Sequence, residues 1–130
     1  METITYGTFS QTLHGQVHGV RAPLHASIEV TRRCPLTCAH CYNNLPMGDV
    51  AARAQEMSLD EHRRLLDELS AAGCLWLLYT GGEIFARRDF LDIYTEARRR
   101  GFLITLFTNG TRACRLEMNT IFPPPPRSTM

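Results

Sequence analysis

With 130 residues the chain is of a size for one domain and leaves little room for a second. It is 44% hydrophobic and 21% charged, the balance of a globular protein rather than a disordered one, and its net charge is only +1. No overall field points to nucleic acid or to an anionic membrane surface, so neither is expected as a partner. The longest strongly apolar run, Cys74 to Tyr79, falls far short of a bilayer span. The N-terminus, Met1-Glu2-Thr3-Ile4, lacks the basic and apolar regions of a secretory signal. A cytoplasmic location is therefore expected, with the five cysteines reduced.

Residues 1–23 carry Gly7, Gly15, Gly19 and Pro23 and read as a leader, either loop or short hairpin. Ser27-Ile28-Glu29-Val30-Thr31 alternates apolar and polar side chains and predicts a short strand that delivers the chain into Cys34. Residues 43–57, with Asn43-Asn44, Pro46 and Gly48, read as a loop. Ser58 and Glu61 have capping-box spacing and open a helix with a stripe of Leu59, Leu65, Leu66, Leu69 and Ala72, closed by Gly73.

The run 74–80 has no polar alternation and predicts a strand buried on both faces. Asp89 to Arg100 predicts a second helix with Phe90, Ile93, Tyr94 and Ala97 on one face, its basic end stopped by Gly101. Phe102 to Thr108 predicts a third strand, ended by Asn109-Gly110. Strand, helix, strand, helix, strand is an α/β order of two right-handed βαβ units. Past Gly110 the pattern collapses, and Pro123 to Pro126 exclude a helix or a central strand. Residues 111–130 read as an irregular Pro-rich tail and the chain as a truncated or frameshifted product.

Cys34-x3-Cys38-x2-Cys41 sets three thiolates on one tight loop after a strand. Three cysteines on a cubane iron–sulfur cluster leave one iron open, and a cofactor with an amine and a carboxylate would chelate it. A structural zinc site with His40 as fourth ligand is a competing reading, cramped because His40 lies between Cys38 and Cys41. A disulfide plus a spare thiol is disfavoured by the expected compartment. The second signal is Tyr79-Thr80-Gly81-Gly82-Glu83 at the end of the second strand, where α/β folds gather ligands.

Together, Cys34-x3-Cys38-x2-Cys41 and Gly81-Gly82-Glu83 after the next strand resemble the radical S-adenosylmethionine (SAM) superfamily. Thr31-Arg32-Arg33-Cys34, His40-Cys41-Tyr42 and Thr108-Asn109-Gly110 are similar to the branch that often carries a SPASM or twitch extension, many of whose members modify peptides or proteins. The resemblance covers residues 24–110 and implies the first three βα units of a partial (β/α) barrel. It implies that Cys34, Cys38 and Cys41 hold a [4Fe-4S] cluster and that SAM binds its open iron. One-electron cleavage, fed by a reductant such as a flavodoxin or ferredoxin, would then give a 5′-deoxyadenosyl radical.

The resemblance further implies cofactor contacts from His40 near the adenine, from Gly81, Gly82 and Glu83 at the methionyl amine, and from Thr108 and Asn109 at the same mouth. Ile84 stands where the family usually has Pro. Two alternatives from other classes remain at this point: an iron–sulfur or zinc module without SAM chemistry, and an inactive truncated remnant. His14 and His18 are read as surface residues, Cys74 as a small core hydrophobe, Trp76 as core and Cys114 as a chance thiol. Arg87-Arg88 and Arg98 to Arg100 are read as solvated faces, and Arg32-Arg33 as near enough to the cluster to influence an anionic substrate.

Overall fold

The computed structural model describes residues 3–43 and 45–112. In chain order they form helix α1 (Tyr6–Gln16), strands β1 (His25–Thr31), β2 (Arg33–Cys34) and β3 (Leu45–Pro46), then helices α2 (Val50–Ala54) and α3 (Leu59–Ala71). Strand β4 (Trp76–Gly81), a short 3-10 helix (Ile84–Ala86), helix α4 (Phe90–Arg99) and strand β5 (Leu103–Leu106) complete them. β1, β4 and β5 make one parallel sheet with β4 in the middle, while β2 and β3 form a separate parallel pair. The α/β class is as expected. The tail beyond residue 112, with Cys114, lies outside the described residues.

The two long helices follow from their sequence signals. Ser58 Oγ accepts from Glu61 N at 3.3 Å and Glu61 Oε2 accepts from Ser58 N at 2.7 Å, a complete capping box. Phe90, Ile93, Tyr94 and Ala97 are all buried on α4. The core lies between these helices and one face of β4: Leu66, Leu77, Tyr79, Ile84, Ile93 and Ala97 have no exposed surface. Phe90 meets Tyr79 and Phe85 edge to face, with centroids 5.6 and 5.3 Å away. Burying each large side chain contributes roughly 1.5–3 kcal/mol.

Four expectations about the elements are corrected, and with them one about the Trp76 side chain. The leader is not a loop or hairpin, because α1 runs through it. Thr5 caps the helix by accepting from Thr8 N at 3.2 Å. Trp76 Nε1 then donates to Tyr6 Oη at 2.7 Å, and the Phe9 and His14 rings lie 6.3 and 5.4 Å from the Trp76 ring. Docking on Trp76 offsets the helical cost of Gly7 and Gly15, about 1 kcal/mol each. Trp76 is accordingly a half-buried docking platform rather than core.

The loop reading of residues 43–57 is also too coarse. Leu45 and Pro46 pair with Arg33 and Cys34, and Asp49 Oδ1 accepts from Ala52 N at 2.7 Å to cap α2. Third, β4 begins at Trp76, since Leu75 N and Trp76 N both donate to Leu24 O before the strand ladder starts. Its burial alternates: Leu77 and Tyr79 are buried, whereas Trp76, Leu78 and Thr80 are half-buried. Among the described residues α3 and α4 pack on one face only. Fourth, β5 ends at Leu106, with Leu103 and Thr105 exposed. No helix among the described residues is long and apolar enough to cross a membrane.

Candidate functional site

β1, β4 and β5 run parallel, so their carboxyl ends, Thr31, Gly81 and Leu106, lie along one edge of the sheet. The register slips between Glu29 and Thr31, which brings Thr31 opposite Gly81. Beyond that point the two chains stay bonded: Gly82 N donates to Thr31 O at 2.8 Å and Glu83 N to Arg33 O at 3.0 Å. A Cβ on Gly81 would collide with Thr31 O, and one on Gly82 would stand 2.5 Å from Arg33 O and 2.8 Å from Arg32 O. The glycine pair is thus required by the backbone that enters the cysteine loop. Sequence reasoning weighed the pair as a tight turn or a ligand contact and not as a close approach to another segment, because the neighbouring chain is invisible in one segment.

Glu83 has no exposed surface. Its Oε1 accepts from Phe85 N at 3.0 Å and Thr108 Oγ1 at 2.8 Å, and its Oε2 accepts from Asn109 N at 2.9 Å. A buried carboxylate so surrounded is stabilised by charge-assisted hydrogen bonds. Glu83 therefore ties the end of β4 to the turn after β5 and fixes Thr108 and Asn109 beside Gly81 and Gly82. Thr80, Gly81, Gly82, Leu106, Thr108 and Asn109 line one cavity of about 480 Å³, together with the exposed rings of Tyr42 and Phe107.

Cys34 is buried at the end of β2, while Cys38 and Cys41 are exposed on the loop that follows. Cys41 N donates to Cys38 O at 3.1 Å, closing the turn that carries them. Three N–H groups aim at sulfur: Leu36 N and Asn109 Nδ2 at Cys34 Sγ, 3.5 and 3.4 Å away, and Asn43 N at Cys41 Sγ, 3.4 Å away. Such donors suit thiolates that carry charge. Among the described residues, no three His, Cys, Asp or Glu side chains converge as the ligands of a single ion. Three thiolates on one loop, with N–H donors at two of them, are a donor set of the kind that holds an iron–sulfur cluster. His40 is exposed on this loop and does not line the 480 Å³ cavity.

Behind the loop lies a buried ionic layer that the sequence did not reveal. Arg33, read as near enough to the cluster to influence an anionic substrate, is buried and grips Glu56 with two bonds of 2.7 and 3.1 Å. Its Nη1 also donates to Met47 O at 3.2 Å, and Thr31 Oγ1 donates to Glu56 Oε1 at 2.6 Å. Arg87, read as a solvated residue, is buried too: it donates to Val30 O, Met57 O and both Asp89 oxygens at 3.1, 2.9, 3.0 and 2.6 Å. Burial alone would raise the Glu56 carboxyl; hydrogen bonds from Arg33 and Thr31 outweigh it and hold that carboxyl below the ordinary range. No local pattern marks an arginine as buried when its carboxylate lies 23 residues away.

His62 shares the inner face of α3 with Leu66 and has no exposed surface or hydrogen-bond partner on either ring nitrogen. Burial, with Arg87 nearby, pushes its pKa down to about 4. Its helical spacing from Leu59 and to Leu66 is the signal that could have marked it as buried, and the sequence reading did not use it. At the far end, Arg100 pairs with Asp67 and Glu96 at 2.7 and 2.8 Å, so only part of the Arg98–Arg100 run is solvated. Cys74 is buried, as expected of a small core hydrophobe, although it precedes β4 rather than opening it.

Residues 28–118 match the radical SAM superfamily, and the chain belongs to that family of enzymes. It is similar to proteins named PqqA peptide cyclase. It is 37% identical over 93 residues to one from Rhodopseudomonas palustris, covering 72% of this chain and 24% of that protein. With its counterpart from Streptomyces rochei it shares 35% identity over 91 residues, covering 70% of this chain and 24% of the relative. The Bradyrhizobium diazoefficiens protein is 30% identical over 99 residues, with coverage of 76% and 25%. The chain spans about a quarter of the length of these relatives.

Proposed function

We propose that this chain is the cluster- and SAM-binding part of a peptide-modifying radical SAM enzyme of the SPASM type, and that residues 24–110 supply the first βα units of its partial barrel. The observation that carries the reading is the junction at the sheet's carboxyl edge. Cys34, the Gly81–Glu83 turn and the Thr108–Asn109 turn meet there through Glu83 and Asn109. The relatives named as PqqA peptide cyclases support a peptide as the substrate class.

Cys34, Cys38 and Cys41 would hold a [4Fe-4S] cluster, leaving one iron for the amino and carboxylate groups of SAM. When bound, the pair supplies one-electron cleavage of the sulfonium and a 5′-deoxyadenosyl radical that takes a hydrogen atom from substrate. The protein's own part is positional. Gly81 and Gly82 present bare backbone to the cavity, Glu83 holds Thr108 and Asn109 in place, and Tyr42 and Phe107 offer apolar rings that shield a bound nucleoside from water. Exposed His40, two residues from Cys38, is within the loop that would close over the adenine. A flavodoxin or ferredoxin would deliver the electron.

Anaerobic reconstitution with iron and sulfide, followed by reduction in the presence of SAM, tests the reading. Formation of 5′-deoxyadenosine is expected. Uptake of zinc alone, or a cluster whose spectrum ignores SAM, would refute it in favour of a metal module without SAM chemistry.

A further inference from the structure

We infer that Asn109 is a positioning residue that tunes the cluster electronically, its side-chain amide donating to Cys34 Sγ and raising the potential at which the cluster accepts its electron. This rests on the proposed function, since it needs a cluster on Cys34. Four contacts fix the geometry. Asn109 Nδ2 stands 3.4 Å from Cys34 Sγ, a reach of 75 residues along the chain. Asn109 Oδ1 accepts from Thr111 N at 3.0 Å and Thr111 Oγ1 at 2.7 Å, which assigns the carbonyl end of the amide and leaves only the NH₂ end for the sulfur. Asn109 N is anchored on Glu83 Oε2 at 2.9 Å, so the side chain starts from a fixed point.

The consequence is electrostatic. Reduction adds negative charge to a cluster and its thiolates, and an N–H dipole aimed at a ligand sulfur stabilises the reduced form more than the oxidised one. Cys34 is the buried member of the triplet, where the surroundings screen that dipole least. Cys38 and Cys41 are exposed, and water competes for their sulfurs. The Glu83 carboxylate adds a second role to its tie between strands: it orients the donor without touching the sulfur.

The test is a redox titration of the reconstituted chain, following the reduced-cluster signal by electron paramagnetic resonance, for wild type, Asn109→Leu and Asn109→Asp. Asn109→Asp is nearly isosteric and keeps the acceptor for Thr111, so it preserves the turn while replacing the donor by a negative oxygen. The expected midpoint potentials fall in the order wild type, Asn109→Leu, Asn109→Asp. Equal potentials in clusters that all form would overturn this inference and leave the proposed function standing. A cluster that forms in wild type but in neither variant would give Asn109 a folding role and overturn the tuning role. Failure of the wild-type chain to take any cluster would overturn the proposed function itself.

Discussion

The Gly81–Glu83 turn and the cysteine loop meet at the same edge of the sheet but are held by different means. The turn is finished by protein alone: its backbone locks onto Thr31 and Arg33, and the Glu83 carboxylate is spent on Phe85, Thr108 and Asn109. The loop leaves Cys38 and Cys41 exposed, with one backbone bond between them and N–H groups aimed at Cys34 and Cys41 sulfurs. One region is a preformed frame, and the other is a set of ligands whose remaining bonds a cluster would supply. On the proposed function, a frame of this kind would let a cofactor bind without first organising the strand ends.

Substitutions in the two regions should therefore fail differently. The largest effect is expected in the loop. Cys34→Ala, Cys38→Ala or Cys41→Ala should each abolish a stable cluster, read as loss of bound iron and of charge-transfer absorbance, while thermal unfolding of the cluster-free chain changes little for exposed Cys38 and Cys41. A large fall in the cluster-free melting temperature for those two would show that the loop is framework after all.

Next comes the ionic layer beneath the loop. Glu56→Ala strands the buried Arg33 guanidinium and removes the acceptor of Thr31. It should cost about 3–5 kcal/mol by denaturant unfolding, the range for breaking a buried ion pair by removing one partner. A loss below 1 kcal/mol would mean that the layer is solvated.

His62 tests the frame through pH. Its folded pKa is about 4 against an ordinary 6.5, so the folded chain binds the proton less well than the unfolded one. Stability contributed by neutral His62 is complete above pH 6.5 and is lost as pH falls towards 4, by about 3 kcal/mol. Glu56 loses its own contribution only lower, because its carboxyl is held below the ordinary carboxylate range. His62→Leu should flatten the unfolding free energy across that window relative to wild type, and an unchanged slope would exclude His62 as its source. The smallest effect is expected from Gly82→Ala, roughly 1–3 kcal/mol of forced backbone movement against Arg32 and Arg33 carbonyls, read as a lower melting temperature with or without cluster.

How far the sequence reaches divides along the same line. The helices at Leu59–Ala71 and Phe90–Arg99 were legible because their caps and apolar stripes are local. The cysteines and the Gly81–Glu83 turn were legible because spacing and position mark them. α1 escaped notice because Gly7 and Gly15 break its period and an anchor of the helix, Trp76, is 70 residues from Tyr6. Arg33, Glu56 and Arg87 escaped because a charged side chain looks solvated until its distant partner is known. Glu83 was identified as a site residue, but the tertiary contacts that give it a framework role, Thr108 and Asn109, lie 25 and 26 residues away.

The central claim is that three loop thiolates and the strand-end frame together make one cofactor site. It is tested most directly by the electron paramagnetic resonance spectrum of the reduced, reconstituted chain before and after SAM is added. The account predicts a [4Fe-4S] signal that depends on Cys34, Cys38 and Cys41 and changes on SAM binding, with the change weakened by Glu83→Gln. A signal identical with and without SAM, or a metal content of zinc in place of iron, would contradict it.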